Sequence, residues 1–170
     1  RKDGDAHGDM RFGKKTSPDF VKRYEVPFFD YHLHQDKKAK LPPEAVVFFT
    51  GENTWREYPK WPPARAKPIN MYLSAQGKLT DKAPTAAKAS DKYVSNPLRP
   101  VPYYGKPSSR IDRNFMSADQ RFAHRRPDVL HYESDVLTTD VTLAGPLTAK
   151  IAFDTTGTDA DLVVKIIDIF

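Results

Sequence analysis

The chain has no cysteine, which excludes both a disulfide framework and a thiolate metal site. It has no apolar run near the ~20 residues that a membrane-spanning helix needs, and the polar stretch Arg1 to Met10 is no signal peptide. A concentrated basic segment is missing too. The net charge of +5 comes from scattered residues: Lys14-Lys15, Lys37-Lys38 with Lys40, and Arg125-Arg126 lie far apart with acids beside them. Without aromatic interleaving or a basic helix, this reads as a solvated surface, and neither nucleic acid nor membrane is an expected partner.

What is present points to a loop-rich β domain: 15 prolines and 12% aromatics in 170 residues, enough for one domain or one domain plus a fragment. The clearest pattern lies near the C-terminus. Leu147, Ala149, Ile151 and Phe153 alternate with Thr148, Lys150, Ala152 and Asp154, the signature of a half-buried strand. Gly145-Pro146 and Thr156-Gly157-Thr158-Asp159 punctuate it, with Val141 and Leu143 before and Leu162 to Phe170 after. The expectation is a meander of paired strands over Met116 to Phe170. Its last strand should be central and covered on both faces, and its abrupt stop reads as a piece of a longer chain.

Upstream, Ser17-Pro18 is a helix start, with Ser17 as the capping side chain and Pro18 in the first turn. Phe20, Tyr24, Phe28 and Tyr31 then fall on one helical stripe, and Pro27 should kink or split the helix. That stripe needs a partner surface, and none is obvious elsewhere in the chain. Lys37 to Pro43 is a linker by composition. Ala45 to Thr50 and Thr54 to Tyr58 are strands joined by Gly51-Glu52-Asn53. Gln76-Gly77-Lys78 marks a second hairpin. Asp81 to Asn114 is proline-rich and aperiodic, a long ordered loop that Tyr103-Tyr104 could anchor.

Several ordered blocks resemble the C-terminal part of the CocE/NonD serine hydrolases, the group of X-Pro dipeptidyl-peptidases, α-amino acid ester hydrolases and glutaryl-cephalosporin acylases. They are Asp119-Gln120-Arg121-Phe122-Ala123, Arg126-Pro127-Asp128-Val129-Leu130, Ala144-Gly145-Pro146-Leu147, Thr158-Asp159-Ala160-Asp161 and Val164-Lys165-Ile166-Ile167-Asp168. Asn53, Trp55 and Trp61-Pro62-Pro63, the helix Val26-Pro27-Phe28-Phe29-Asp30-Tyr31, and the loop block with Tyr93, Pro97 and Pro100-Val101-Pro102-Tyr103 fit the same group. The resemblance implies a mainly β fold: a jelly-roll, galactose-binding-like sandwich over residues 41–170, incomplete at its C-terminus. Residues 1–40 would be the tail of an α/β-hydrolase domain, a loop plus its last helix. Its upstream hydrolase domain would supply the surface for the aromatic stripe.

The same resemblance places the catalytic serine, acid and histidine upstream of Arg1. None of the serines here stands in a Gly-x-Ser-x-Gly elbow. His7, in Asp5-Ala6-His7-Gly8, is the one candidate triad histidine, but it lacks the family's Gly-Pro-Trp-x-His context and reads as a loop residue. His32 and His34, two apart on a helix, face different ways and cannot chelate together. His124 and His131 read as isolated structural histidines. Asp159 and Asp161 suggest an ordinary turn rather than calcium ligands. Arg121, Arg125, Arg126 and Asp128 form the densest charged cluster. They read as structural pairing where a loop enters a strand, with substrate-carboxylate binding as the functional alternative.

No cofactor or metal is expected. The implied role is the non-catalytic portion of a hydrolase of esters or amides: α-amino acid esters, β-lactam acyl side chains or X-Pro peptides. It would pack on the catalytic domain through Phe20, Tyr24 and Phe28, wall the active-site entrance and support any homo-oligomer. The alternative is a free-standing carbohydrate-binding module with Trp55 and Trp61 as exposed stacking platforms.

Overall fold

A computed structural model describes residues 3–85, 89–105 and 109–170. The fold is mainly β and extended, and the described residues form three separate antiparallel hairpins. The first is a short one, β1 (Ala6–His7) with β2 (Met10–Arg11). The second pairs β3 (Ala45–Phe49) with β4 (Thr54–Tyr58), from Ala45 opposite Tyr58 to Phe49 opposite Thr54. The third pairs β5 (Tyr72–Ser74) with β6 (Lys78–Thr80). Both hairpin turns expected at residues 51–53 and 76–78 are in place. Asn53, Gly51, Gln76 and Gly77 supply the positive φ angles that such tight reversals require.

The helix runs from Thr16 to Leu33 in three parts: α1 (Thr16–Phe20), a π-helical segment (Val21–Glu25) and α2 (Val26–Leu33). Pro27 does split it. A proline has no N–H for the ladder, and the wide turn just before it takes up the mismatch. Ser17 is not the cap. The amide of Thr16 donates to the Gly4 carbonyl (3.3 Å) and that of Ser17 to the Asp3 carbonyl (3.0 Å), while the Thr16 hydroxyl also donates to Gly4 (2.6 Å). Main-chain acceptors from the preceding loop thus satisfy the first-turn donors and leave no work for a serine side chain. The approach is so close that a Cβ on Gly4, whose φ is +70°, would collide with Ser17 and Thr16.

Among its described residues the proline-rich loop forms no strand. The Tyr103 hydroxyl donates to the Arg110 carbonyl (2.8 Å) and accepts the Asp112 amide (3.1 Å), pinning the loop to itself. A short 3₁₀ turn (Arg113–Ser117) and α3 (Arg121–His124) follow. Glu133 then bridges Lys78 in parallel, with its amide on the Gly77 carbonyl and its carbonyl receiving the Leu79 amide, both at 2.8 Å.

The expected meander does not form. Among the described residues no ladder hydrogen bonds join 134–170, and its apolar side chains are exposed, Leu147 at 68% and Val163 at 82%. The alternation is real, but a strand closes its hydrogen bonds only on a neighbour, and none lies beside this run. Its main ties are Lys165, whose ammonium donates to Gln120 Oε1 (2.8 Å) and the Tyr103 carbonyl (3.3 Å), and Gly145 against Pro62.

Candidate functional site

The core of the molecule is an aromatic junction between the helix and the β3–β4 hairpin. On β4, alternation places Trp55 and Glu57 on the same face. Trp55 stacks against Phe20 (ring centroids 5.0 Å), Phe48 (5.1 Å) and Tyr24 (6.3 Å), and Phe48 in turn meets Phe12 (5.1 Å). Such tilted and edge-on contacts suit the quadrupoles of the rings and contribute about 0.5–1.5 kcal/mol per pair beyond area burial.

Glu57 completes the junction. Its Oε1 accepts the Tyr24 hydroxyl (2.9 Å) and the Arg23 guanidinium (3.3 Å). Tyr24 is 5% exposed. Burial, and then the bond to Glu57, push its phenol above the ordinary range. The aromatic stripe therefore finds part of its partner surface inside this chain, contrary to expectation. Phe20 and Tyr24 are used internally by Trp55.

Phe28, the next residue of the stripe, is not. Phe28 and its neighbour Phe29, in edge contact at 5.5 Å, are 42% and 47% exposed, with Val26 and Leu33 exposed beside them. Phe28 and Phe29, together with Phe20, Tyr24, Pro43 and Val46, line an open cleft of about 320 Å³. Tyr31, the last residue of the stripe, carries the Lys37 ammonium over its ring at 4.2 Å. An exposed apolar patch of this kind marks a surface made to be covered.

The two tryptophans differ. Trp61 is exposed beside Tyr58 (5.6 Å), with its amide on Glu44 Oε1 (3.0 Å) and a cis peptide to Pro62. Trp55 lies inside the aromatic junction with its indole nitrogen buried, so the pair does not present two sugar-stacking platforms.

Arg126 and Asp128 pair with each other. The guanidinium donates from Nε to Oδ1 (2.8 Å) and from a terminal nitrogen to Oδ2 (2.6 Å), and also reaches the Arg99 carbonyl (2.8 Å). This fork holds the Asp128 carboxyl below its usual range. It staples the proline-rich loop to the segment after α3. Arg121 is turned to Asp119 instead; its side-chain bonds, then its amide, pull that carboxyl down to about 2. The expected cluster is thus two local pairs, and neither presents a free fork for a substrate carboxylate.

His7 lies on β1 with Nε2 buried and without a hydrogen-bond partner, not open to a reacting group. His34 Nδ1 meets Asp30 Oδ1 at 3.0 Å on the exposed helix end, while His32 packs on Phe28. Asp159 accepts the Ala160 amide, as in an ordinary turn. His124 and His131 are not isolated: their rings lie 4.0 Å apart, and Glu133 stands beside them. The missed signals were parity signals. Glu57 follows Trp55 by two, and Glu133 follows His131 by two, in extended backbone.

Residues 36–169 match the X-Pro dipeptidyl-peptidase C-terminal non-catalytic domain. The cocaine esterase of Rhodococcus sp. (strain MB1 Bresler) is 29% identical over 152 residues, 84% of this chain and 26% of that protein. An alpha-amino acid ester hydrolase of known structure is 33% identical with a TM-score of 0.70, over 85% of this chain and 25% of the other. An aminopeptidase structure from a marine sediment archaeon, Thaumarchaeota archaeon, gives 31% identity and a TM-score of 0.65, over 75% of this chain and 22% of the other. The chain spans about a quarter of the length of these relatives.

Proposed function

The chain belongs to the X-Pro dipeptidyl-peptidase C-terminal non-catalytic domain family, the C-terminal region of the CocE/NonD hydrolases, and from that membership we propose that it serves as the docking portion of a serine hydrolase. In this reading residues 1–40 end an α/β-hydrolase domain, and residues 41–170 contribute to a jelly-roll sandwich that packs on it and walls the active-site entrance. The parent enzyme cleaves esters or amides: serine attacks the carbonyl, histidine carries the proton and backbone amides hold the oxyanion. Those groups belong to the upstream domain; this chain contributes shape and apolar area.

One observation carries the reading. Phe20 and Tyr24 of the aromatic helix stripe pack on Trp55 within this chain, while Phe28 further along it, with its neighbour Phe29, stays exposed over a cleft. A surface of that kind suits a large, permanent neighbour. The test is hydrogen exchange of the segment 26–33 in this chain alone and joined to its upstream domain. Stronger protection in the joined form, lost on Phe28→Asp together with Phe29→Asp, supports docking. Equal exchange in both forms overturns it.

A further inference from the structure

We propose that His124, His131 and Glu133 form a binding site for one divalent transition-metal ion of the zinc class. These residues come from two elements. His124 ends α3, while His131 and Glu133 lie two apart on an extended segment and so share a face. One ligand atom from each, the three together, fall within 4.8 Å of one another, with His124 Nδ1 at 3.9 Å from Glu133 Oε1. All three side chains are solvent-accessible, so an ion can enter.

The backbone beneath the cluster is held in place. Glu133 is bonded on both sides to the β5–β6 hairpin, at the Gly77 carbonyl and the Leu79 amide. The His131 carbonyl lies so near Gly77 that a Cβ there would stand 3.1 Å from it. Only the side chains need adjust. Metal–nitrogen bonds of ~2.0–2.1 Å in a tetrahedral site put donor atoms roughly 3.3 Å apart, so no pair in the cluster needs to close by more than about 1.5 Å. Rotation of exposed side chains supplies that movement.

The donor set selects the ion. Two imidazoles and one carboxylate suit zinc, copper or nickel and are poor for magnesium or calcium, which prefer oxygen. Three protein donors leave a fourth position for water. Bound there, the ion cross-links the end of α3 to the 131–133 segment, which is itself bonded to the β5–β6 hairpin through Glu133. The two imidazole faces at 4.0 Å gain a shared partner.

The experiment is calorimetric titration of the full chain with Zn²⁺, alongside Co²⁺ followed by visible absorption, for the native protein and for His124→Ala, His131→Ala, His131→Gln, Glu133→Gln and the double histidine-to-alanine variant. One ion per chain with micromolar affinity is expected, weakened at least ~10-fold by either single histidine change and abolished in the double variant. His32→Ala with His34→Ala should leave it unchanged. Far-UV circular dichroism of His131→Gln separates loss of ligand from loss of fold. Stoichiometric binding that survives in the double variant, or no binding up to millimolar Zn²⁺, overturns the proposal.

Discussion

Residues 12–58 and residues 134–170 are both rich in apolar side chains, yet only the first region packs a set of them against one another, with Tyr24 and Phe49 buried. The difference lies in how each closes its backbone. A helix satisfies its own amides, and the β3–β4 hairpin needs only itself, so Phe20, Tyr24, Phe48 and Trp55 can meet within the chain. The later run has an equally clear pattern, but a strand's hydrogen bonds belong to a neighbour, and Phe153 and Ile169 remain 57% and 69% exposed. Apolar periodicity reports which face is to be buried; whether it is buried depends on what lies opposite.

The largest effect should come from breaking the closed region. Trp55→Ala removes the ring that joins helix to hairpin and should cost about 3–5 kcal/mol, read as a fall in the denaturation midpoint. Leu147→Ala, in the open region, should cost less than ~0.5 kcal/mol in the same chain, since little is packed around it. If the two losses are similar, the contrast between the regions is false.

A smaller loss is expected at the third hairpin. Gly77→Ala meets both a φ of +68° and the His131 carbonyl, and should destabilise by about 1–2 kcal/mol, with exchange rising at Leu79 and Glu133. Next comes the arginine fork. Arg126→Ala frees the Arg99 carbonyl and leaves Asp128, whose side chain is only 11% exposed, without its partner. Thermal melting should show a drop smaller than that of Trp55→Ala, concentrated in the loop. Because the bond from Arg126 lowers the pKa of Asp128 in the folded state, its contribution is fully present above the unfolded carboxylate range near pH 4. It is lost as pH falls through the folded value. The native midpoint should therefore fall more steeply in acid than that of Arg126→Ala.

The smallest effect lies at the alkaline end. Burial and the bond to Asp91 raise the Tyr132 phenol to about 12. A raised value gives stability that is present below the unfolded phenol range near pH 10 and vanishes as pH climbs through 12. Ultraviolet titration should show a late-ionising tyrosine signal that loses one tyrosine's amplitude in Tyr132→Phe, while the raised Tyr24 phenol remains.

Much of this was legible in the sequence where the cause is local. Gly51-Glu52-Asn53 and Gln76-Gly77 announce their turns because positive φ favours few residues, and Pro27 announces the break in the helix because it removes a donor. Arg126 and Asp128, two apart, could be expected to pair. The rest depends on distant chain. Nothing near Ser17 shows that the Asp3 and Gly4 carbonyls will take the first-turn amides. Nothing near Tyr24 shows that Trp55 will cover it, nor near His124 that His131 will face it. The C-terminal run fails for the opposite reason: its local signal is strong, but pairing is not a local property.

The wide turn at Val21–Glu25 sets the rotation of all that follows it in the helix. One residue more per turn delays everything after it by roughly 100° of rotation relative to a regular helix. Phe20 and Tyr24, before and within that turn, reach Trp55, and Phe28 and Phe29, after it, still line the same cleft as Phe20 and Tyr24. The cleft is therefore matched to the wide turn. Removing one residue there would swing Phe28 and Phe29 by roughly 100° about the helix axis relative to Phe20 and Tyr24 and take the cleft apart without touching any residue that lines it.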